Sequence, residues 1–218
     1  PNGRILLGMD APGAYAELIA CPARNVRVIP ETMTLREAAM AEPVAVAVRA
    51  VSRVPVRPGG TALVVGAGPI GILVAQLAAA RGWGPILVSD VVAARRDVAA
   101  SVGFVPIESG DQEAWRRVLA EHTGGQGVEI AFEAVGVGPA VAQAHNALKR
   151  GGDAVWIGNN AKLIEVDMQD VVTRELTIYG TYGLTDADFS AALDLLAEGT
   201  INVDALLSRY ATLDEGPG

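Results

Sequence analysis

Gly66, Gly68 and Gly71 stand as GxGxxG within "TALVVGAGPIGILVAQLAAARG", residues 61–82, and Asp90 closes "PILVSD" nineteen residues past the last of them. In a strand-turn-helix setting that spacing has a chemical meaning. The first glycine makes a tight turn, the second lets backbone approach a diphosphate, and the third lets helix and strand pack closely. The helix start offers unbonded N–H groups and the positive end of its dipole. A carboxylate at Asp90 can accept from both hydroxyls of an adenosine ribose and repels a 2′-phosphate, so the pattern predicts NAD rather than NADP. The competing reading is an ordinary glycine turn with an incidental Asp at a strand end.

Metal chemistry has a thinner inventory. A catalytic zinc takes about three protein ligands from Cys, His and carboxylate. Cys21, His122 and His145 share no short metal-binding spacing. Cys21 reads as a buried small apolar residue, His122 as a dipole partner at a helix end, and His145 as an exposed helix residue. Glu42, in "AEPVAVAV", reads as an acid at a helix start followed by Pro43 in the first turn.

The elements that must position these groups follow from the pattern. Thr61 to Ala80 is uncharged and matches a membrane span in length. Gly66, Gly68, Pro69 and Gly71 in its middle break a straight helix, however. "TALVV" is β-rich and "ILVAQLAAA" helix-forming. Further strands are predicted at Ala62 to Val65, Ile86 to Ser89, Phe104 to Ile107, Val128 to Glu133, Ala154 to Ile157 and Leu176 to Gly180, with helical runs between them. That succession predicts an α/β doubly wound parallel sheet covered on both faces, the Rossmann arrangement. Thr34 with Glu37 predicts a capping box. Residues 1–30 read as β-strand and turn.

Composition narrows the partners. Seventeen basic against 25 acidic residues in 218 give a net charge of −8, with no Lys/Arg run for a nucleic-acid footprint. A lone cysteine favours a reducing compartment, and the first residues do not resemble a signal peptide. The expectation is a cytoplasmic protein with neither membrane nor nucleic-acid partner.

The blocks "GAYAELI", "AAMAEPVAVAVRAV", "RPGGTALVVGAGPIGILVAQLAAARG", "VSDVVAARRDVA", "GVEIAFEAVG", "ALKRGGDAVWIG" and "LTIYGTYG" occur in an order that closely resembles the medium-chain dehydrogenase/reductase family, especially its polyol and threonine dehydrogenase branch. The resemblance implies an NAD-dependent oxidoreductase moving a hydride between a secondary alcohol or polyol and nicotinamide, zinc-assisted in the complete enzyme. It implies that backbone at Pro69 and Ile70 holds the pyrophosphate and that Arg95 lies against the adenine. Val135 and Gly136, with Ile157 and Gly158, would flank the nicotinamide. Glu42 matches a glutamate at or near the catalytic zinc, and Leu176 to Tyr182 an edge strand that makes a homodimer or homotetramer.

On the same resemblance, residues 1–42 form part of a GroES-like catalytic domain, 43–186 the Rossmann domain, and 187–218 a helix and a returning connection. The chain departs from the family in lacking the cysteine and His-Glu blocks that supply zinc. Little turnover is therefore expected of it alone. Two other readings stay open: a zinc-free NADPH-dependent quinone or enoyl reductase, and a non-catalytic dinucleotide-binding module.

Overall fold

A computed structural model describes residues 6–216. Two compact units divide them. The larger is Glu31–Leu206, and the smaller draws on 6–30 and 207–216.

In chain order the larger unit contains α1 (Leu35–Ala39), α2 (Ala41–Val51), β1 (Ala62–Val65), α3 (Pro69–Ala80), β2 (Ile86–Asp90), α4 (Ala93–Ser101), β3 (Val105–Glu108), α5 (Gln112–Thr123), β4 (Val128–Glu133), α6 (Gly138–Ala147), β5 (Leu148–Trp156), α7 (Met168–Thr173), β6 (Thr177–Gly180) and α8 (Asp186–Ala197). The six strands form one sheet in the order β3-β2-β1-β4-β5-β6, and every neighbouring pair is parallel. The doubly wound expectation is met. Strand order reverses between β1 and β4, and in such sheets the crevice outside the carboxyl ends at that reversal is the ligand site.

The uncharged run has a packing reason. Gly71 through Ala78 of α3 are all buried, because the helix lies between the sheet and α2. Its twelve residues span only about 18 Å at 1.5 Å per residue. Among the described residues, no helix is long and apolar enough to cross a membrane. Gln76, the polar side chain inside this buried stretch, is satisfied: its Nε2 donates to the Asn202 carbonyl at 3.1 Å and its Oε1 accepts the Asn202 amide at 2.7 Å. On the other face, Leu63, Val65, Leu87, Ile107 and Ala131 meet Trp115 of α5 and Ala140, Ala144 and Ala147 of α6.

Local signals behave as their chemistry dictates. The Thr34 hydroxyl accepts the Glu37 amide while Glu37 reaches back to the Thr34 amide, the predicted capping box. Pro43 falls in the first turn of α2, where a missing N–H costs nothing. β5 begins at Leu148 rather than Ala154. "LKRGG", read as the end of the helical run from Gly138, instead opens the strand, with Gly151 at φ +70° and an irregularity in the β4–β5 register between Val128 and Ile130.

The larger unit takes in α2 and α8 because they pack against each other and α2 also packs against α3. The smaller unit departs further from the sequence pattern. Its described residues hold an isolated bridge, Leu7 to Ala11, and a 3₁₀ turn, Ala23–Asn25, instead of strands. A strand needs a hydrogen-bonded neighbour, and no segment among the described residues of this unit supplies one. Cys21 accordingly is exposed, not buried.

Candidate functional site

The expected phosphate cradle sits at the carboxyl end of β1. Gly66 has φ +99°, and a Cβ there would lie 2.6 Å from Val135 Cγ2. A Cβ on Gly71 would fall on the Gly66 carbonyl oxygen. Both glycines are therefore required by the fold itself. Gly68 is different: it caps α3 at φ −71° and ψ 179°, and a Cβ added to it meets no atom within 4 Å. Neither strain nor crowding within the protein explains that glycine.

Pro69 occupies the first turn of α3 and has no N–H to give. Of the pair expected to hold the pyrophosphate, only Ile70 can donate, joined by Gly71 in the same unbonded first turn. Proline contributes a φ already set for the helix.

Asp90 ends β2 and is 6 % exposed. Its Oδ2 accepts the Ala67 amide at 2.9 Å and its Oδ1 the Val92 amide at 2.8 Å. The carboxylate thus fastens the glycine turn to its own strand end. Arg95, in the first turn of α4, brings Nη1 to 3.5 Å from Asp90 Oδ2 with its side chain 56 % exposed. Asp90 and Arg95 line a cavity of about 260 Å³ together with Val65, Gly66, Ser109, Val135 and Gln143. Its far wall is braced where Gln143 Nε2 donates to the Ser109 carbonyl at 2.8 Å.

Val135, expected beside the nicotinamide with Ile157 and Gly158, lines the Asp90 cavity, where the crest after β4 folds over Gly66. Gly136 and Gly158 pack backbone against backbone, so that a Cβ on either would fall on the other's loop. Ile157 and Gly158 donate to the Glu133 carbonyl at 2.8 and 3.0 Å.

Sequence reasoning missed two groups, Arg96 and Glu133, and misplaced a third, His145. Arg96 Nη1 donates to the carbonyls of Asp90 and Val91, both at 3.0 Å, while its Nη2 meets Glu108 Oε2 at 3.0 Å. Glu133 is fully buried. Its Oε1 accepts the Val135 and Gly136 amides at 2.8 and 2.7 Å, and its Oε2 has no hydrogen-bond partner among the described residues. Burial pushes its carboxyl above the ordinary range, against the opposing amide hydrogen bonds of Gly136, Val135 and Gly158. The available signal was a charge closing the otherwise buried strand "VEIAFE". His145 is buried in α6, not exposed, with Nε2 2.7 Å from Asp170 Oδ2. Arg174 Nη1 meets the same oxygen at 2.7 Å. A helix face pressed on the sheet buries whatever residue falls on it.

The donor set does not fit a zinc ion. Glu42 is an exposed carboxylate in the first turn of α2, and among the described residues no group of three His, Cys, Asp or Glu could hold a metal. His122 lies in the last turn of α5, the place that dipole compensation favours.

The comparisons with known proteins agree with the geometry. The family model described as zinc-binding dehydrogenase matches residues 69–198, more than half of the chain. D-xylulose reductase A of Aspergillus niger is 30% identical over 207 residues, covering 93% of this chain and 58% of that protein. A zinc-binding dehydrogenase of Sinorhizobium meliloti 1021 bound to NADP superposes with a TM-score of 0.87 at 29% identity, over 97% of this chain and 63% of that one. An alcohol dehydrogenase of E. coli CFT073 complexed with NADH does so at 0.84 and 26%, over 93% and 59%. The chain therefore spans about three fifths of the length of these relatives. A six-stranded parallel sheet, a glycine cradle at its reversal and this family match together place the chain among the zinc-binding dehydrogenases.

Proposed function

We propose that this chain is the dinucleotide-binding portion of an NAD-dependent polyol or secondary-alcohol dehydrogenase. One observation carries the reading: Gly68, which the fold does not need, caps α3 beside a turn that Asp90 fastens through Ala67. The Ile70 and Gly71 amides would receive the diphosphate, with the helix dipole behind them. Asp90 would take the adenosine ribose hydroxyls with the oxygen lone pairs left over from its two amide bonds. Arg95 would cover the adenine side of the cavity. Gly136, Ile157 and Gly158 would border the nicotinamide and keep water from its reacting face.

NAD over NADP rests on the Asp90 carboxylate, whose charge opposes a 2′-phosphate. Arg95 at 3.5 Å offsets part of that charge, and it favours the second reading, an NADPH-dependent reductase. Zinc, in this proposal, belongs to the whole enzyme. There it would supply Lewis-acid chemistry, and Glu42 is the residue of this chain that would lie near it. The smaller unit would be part of the catalytic domain, β6 and its flanks the surface for a second copy, and a small alcohol the substrate. The lone exposed thiol of Cys21 supports a reducing, cytoplasmic setting.

Isothermal titration with NADH and with NADPH tests the reading. NADH is expected to bind at least tenfold tighter. Tighter NADPH binding would reverse the coenzyme assignment, and no heat with either would end it.

A further inference from the structure

A carboxyl group that is fully buried costs free energy unless something answers it, and a parallel strand can close on an apolar residue without that cost. β1 does so with Val65, the register partner of Glu133. The position of Glu133 therefore asks for a reason beyond the sheet. We propose that Glu133 is a positioning residue for the dinucleotide: its carboxyl fixes the crest after β4 and so sets Val135, a wall of the Asp90 cavity. This rests on the dinucleotide reading above and deepens it.

The bonding pattern supports the role. Glu133 Oε1 receives two successive amides, Val135 at 2.8 Å and Gly136 at 2.7 Å. The carbonyls of those residues are taken from the other side, by Asn160 Nδ2 at 2.7 Å and the Ala161 amide at 2.8 Å. The main-chain oxygen of Glu133 holds Ile157 and Gly158. One residue thereby joins the crests of β4 and β5. The amide side of the first crest depends on Oε1, and without that acceptor the Val135 peptide is free to turn. Val135 stands directly over Gly66, since a Cβ on that glycine would lie 2.6 Å from Val135 Cγ2. A turned crest either closes over the glycine turn or widens the cavity, and both misfit an adenosine.

The test titrates NADH and AMP into the wild-type chain and into Glu133→Gln, Glu133→Asp and Glu133→Ala, below the melting temperature of each. Glutamine keeps an acceptor oxygen at the same reach and is expected to bind both ligands within threefold of wild type. Alanine removes the acceptor, and aspartate draws it back by one methylene. Both are expected to weaken NADH at least tenfold and AMP by a similar factor, because the disturbed wall is at the adenosine end. A purely structural role would lower melting temperatures and leave affinities of the folded protein unchanged. That result, or a glutamine variant as weak as alanine, would overturn the proposal. If alanine does not fold, the aspartate variant decides. A wild-type chain that binds neither NADH nor NADPH would instead sink the underlying dinucleotide reading, and this inference with it.

Discussion

Asp90 closes β2 and Ala67 lies in the turn that follows β1, and the carboxylate Oδ2 of the first holds the amide of the second at 2.9 Å. The residue proposed to take the ribose therefore also shapes the turn proposed to take the diphosphate. Asp90→Ala is expected to weaken NADH binding at least tenfold and NADPH binding less, which narrows the ratio between them. It also leaves the buried Ala67 donor unmatched, a cost of about 2 kcal/mol in stability. Calorimetry with both coenzymes, alongside chemical denaturation, checks the two effects separately.

The three glycines of the cradle separate by role. Gly71→Ala drives a methyl into the Gly66 carbonyl; overpacking of this kind costs about 1–3 kcal/mol or more, which lowers the melting temperature by about 2–12 °C or more in a chain this size. Gly68→Ala is expected to leave the melting temperature within about 2 °C, since the methyl meets no protein atom. It should nonetheless weaken NADH at least tenfold. Thermal scans with and without NADH read both outcomes, and equal affinity in Gly68→Ala and wild type would mean that no ligand approaches that position.

Glu133 gives stability a pH dependence of known sign. Its folded carboxyl titrates above the ordinary range, so the native state holds its proton where the unfolded chain has released it. Stability from this group is full below the unfolded value of about 4.3 and declines as pH rises toward the raised folded value. Glu133→Gln carries no such proton. The wild-type minus variant stability, from urea melts at successive pH values, should fall with pH above about 4.3; a flat difference contradicts the shift.

His145 of α6 and Asp170 of α7 form a 2.7 Å pair that Arg174 joins. Burial opposes ionisation of Asp170, but the hydrogen bonds and charges of Arg174 and His145 outweigh it and hold the carboxyl below its usual range. Stability from Asp170 is then present above the unfolded value of about 3.9 and lost as pH drops through the depressed folded value. Asp170→Asn should flatten the acid limb of a stability profile. His145→Ala should lower the melting temperature by several degrees, and the double variant by less than the sum of the two.

Much of the larger unit was legible in the sequence. Val128–Glu133 and Ala62–Val65 read as strands because strands buried on both faces must be apolar throughout. Asp90 was legible because a charge at the end of such a strand has few structural excuses. Glu133 met the same description and was passed over, since its partners, the Val135 and Gly136 amides, become neighbours only when the chain reverses after β4. Cys21 and His145 were each assigned the wrong environment. Exposure depends on what packs opposite a residue, and for His145 that is α7, some 25 positions away.

The sequence by itself determined the alternation of strands and helices, the glycine turn and the acid that follows it, because each is a matter of local conformation or of periodic burial. Only the tertiary structure decided that Val135 walls the Asp90 cavity, and that one buried glutamate joins the crests of β4 and β5, the first through its carboxyl and the second through its main-chain oxygen. These are contacts between segments distant along the chain. Their geometry is set by how the strands stack into a sheet, which no short stretch of residues encodes.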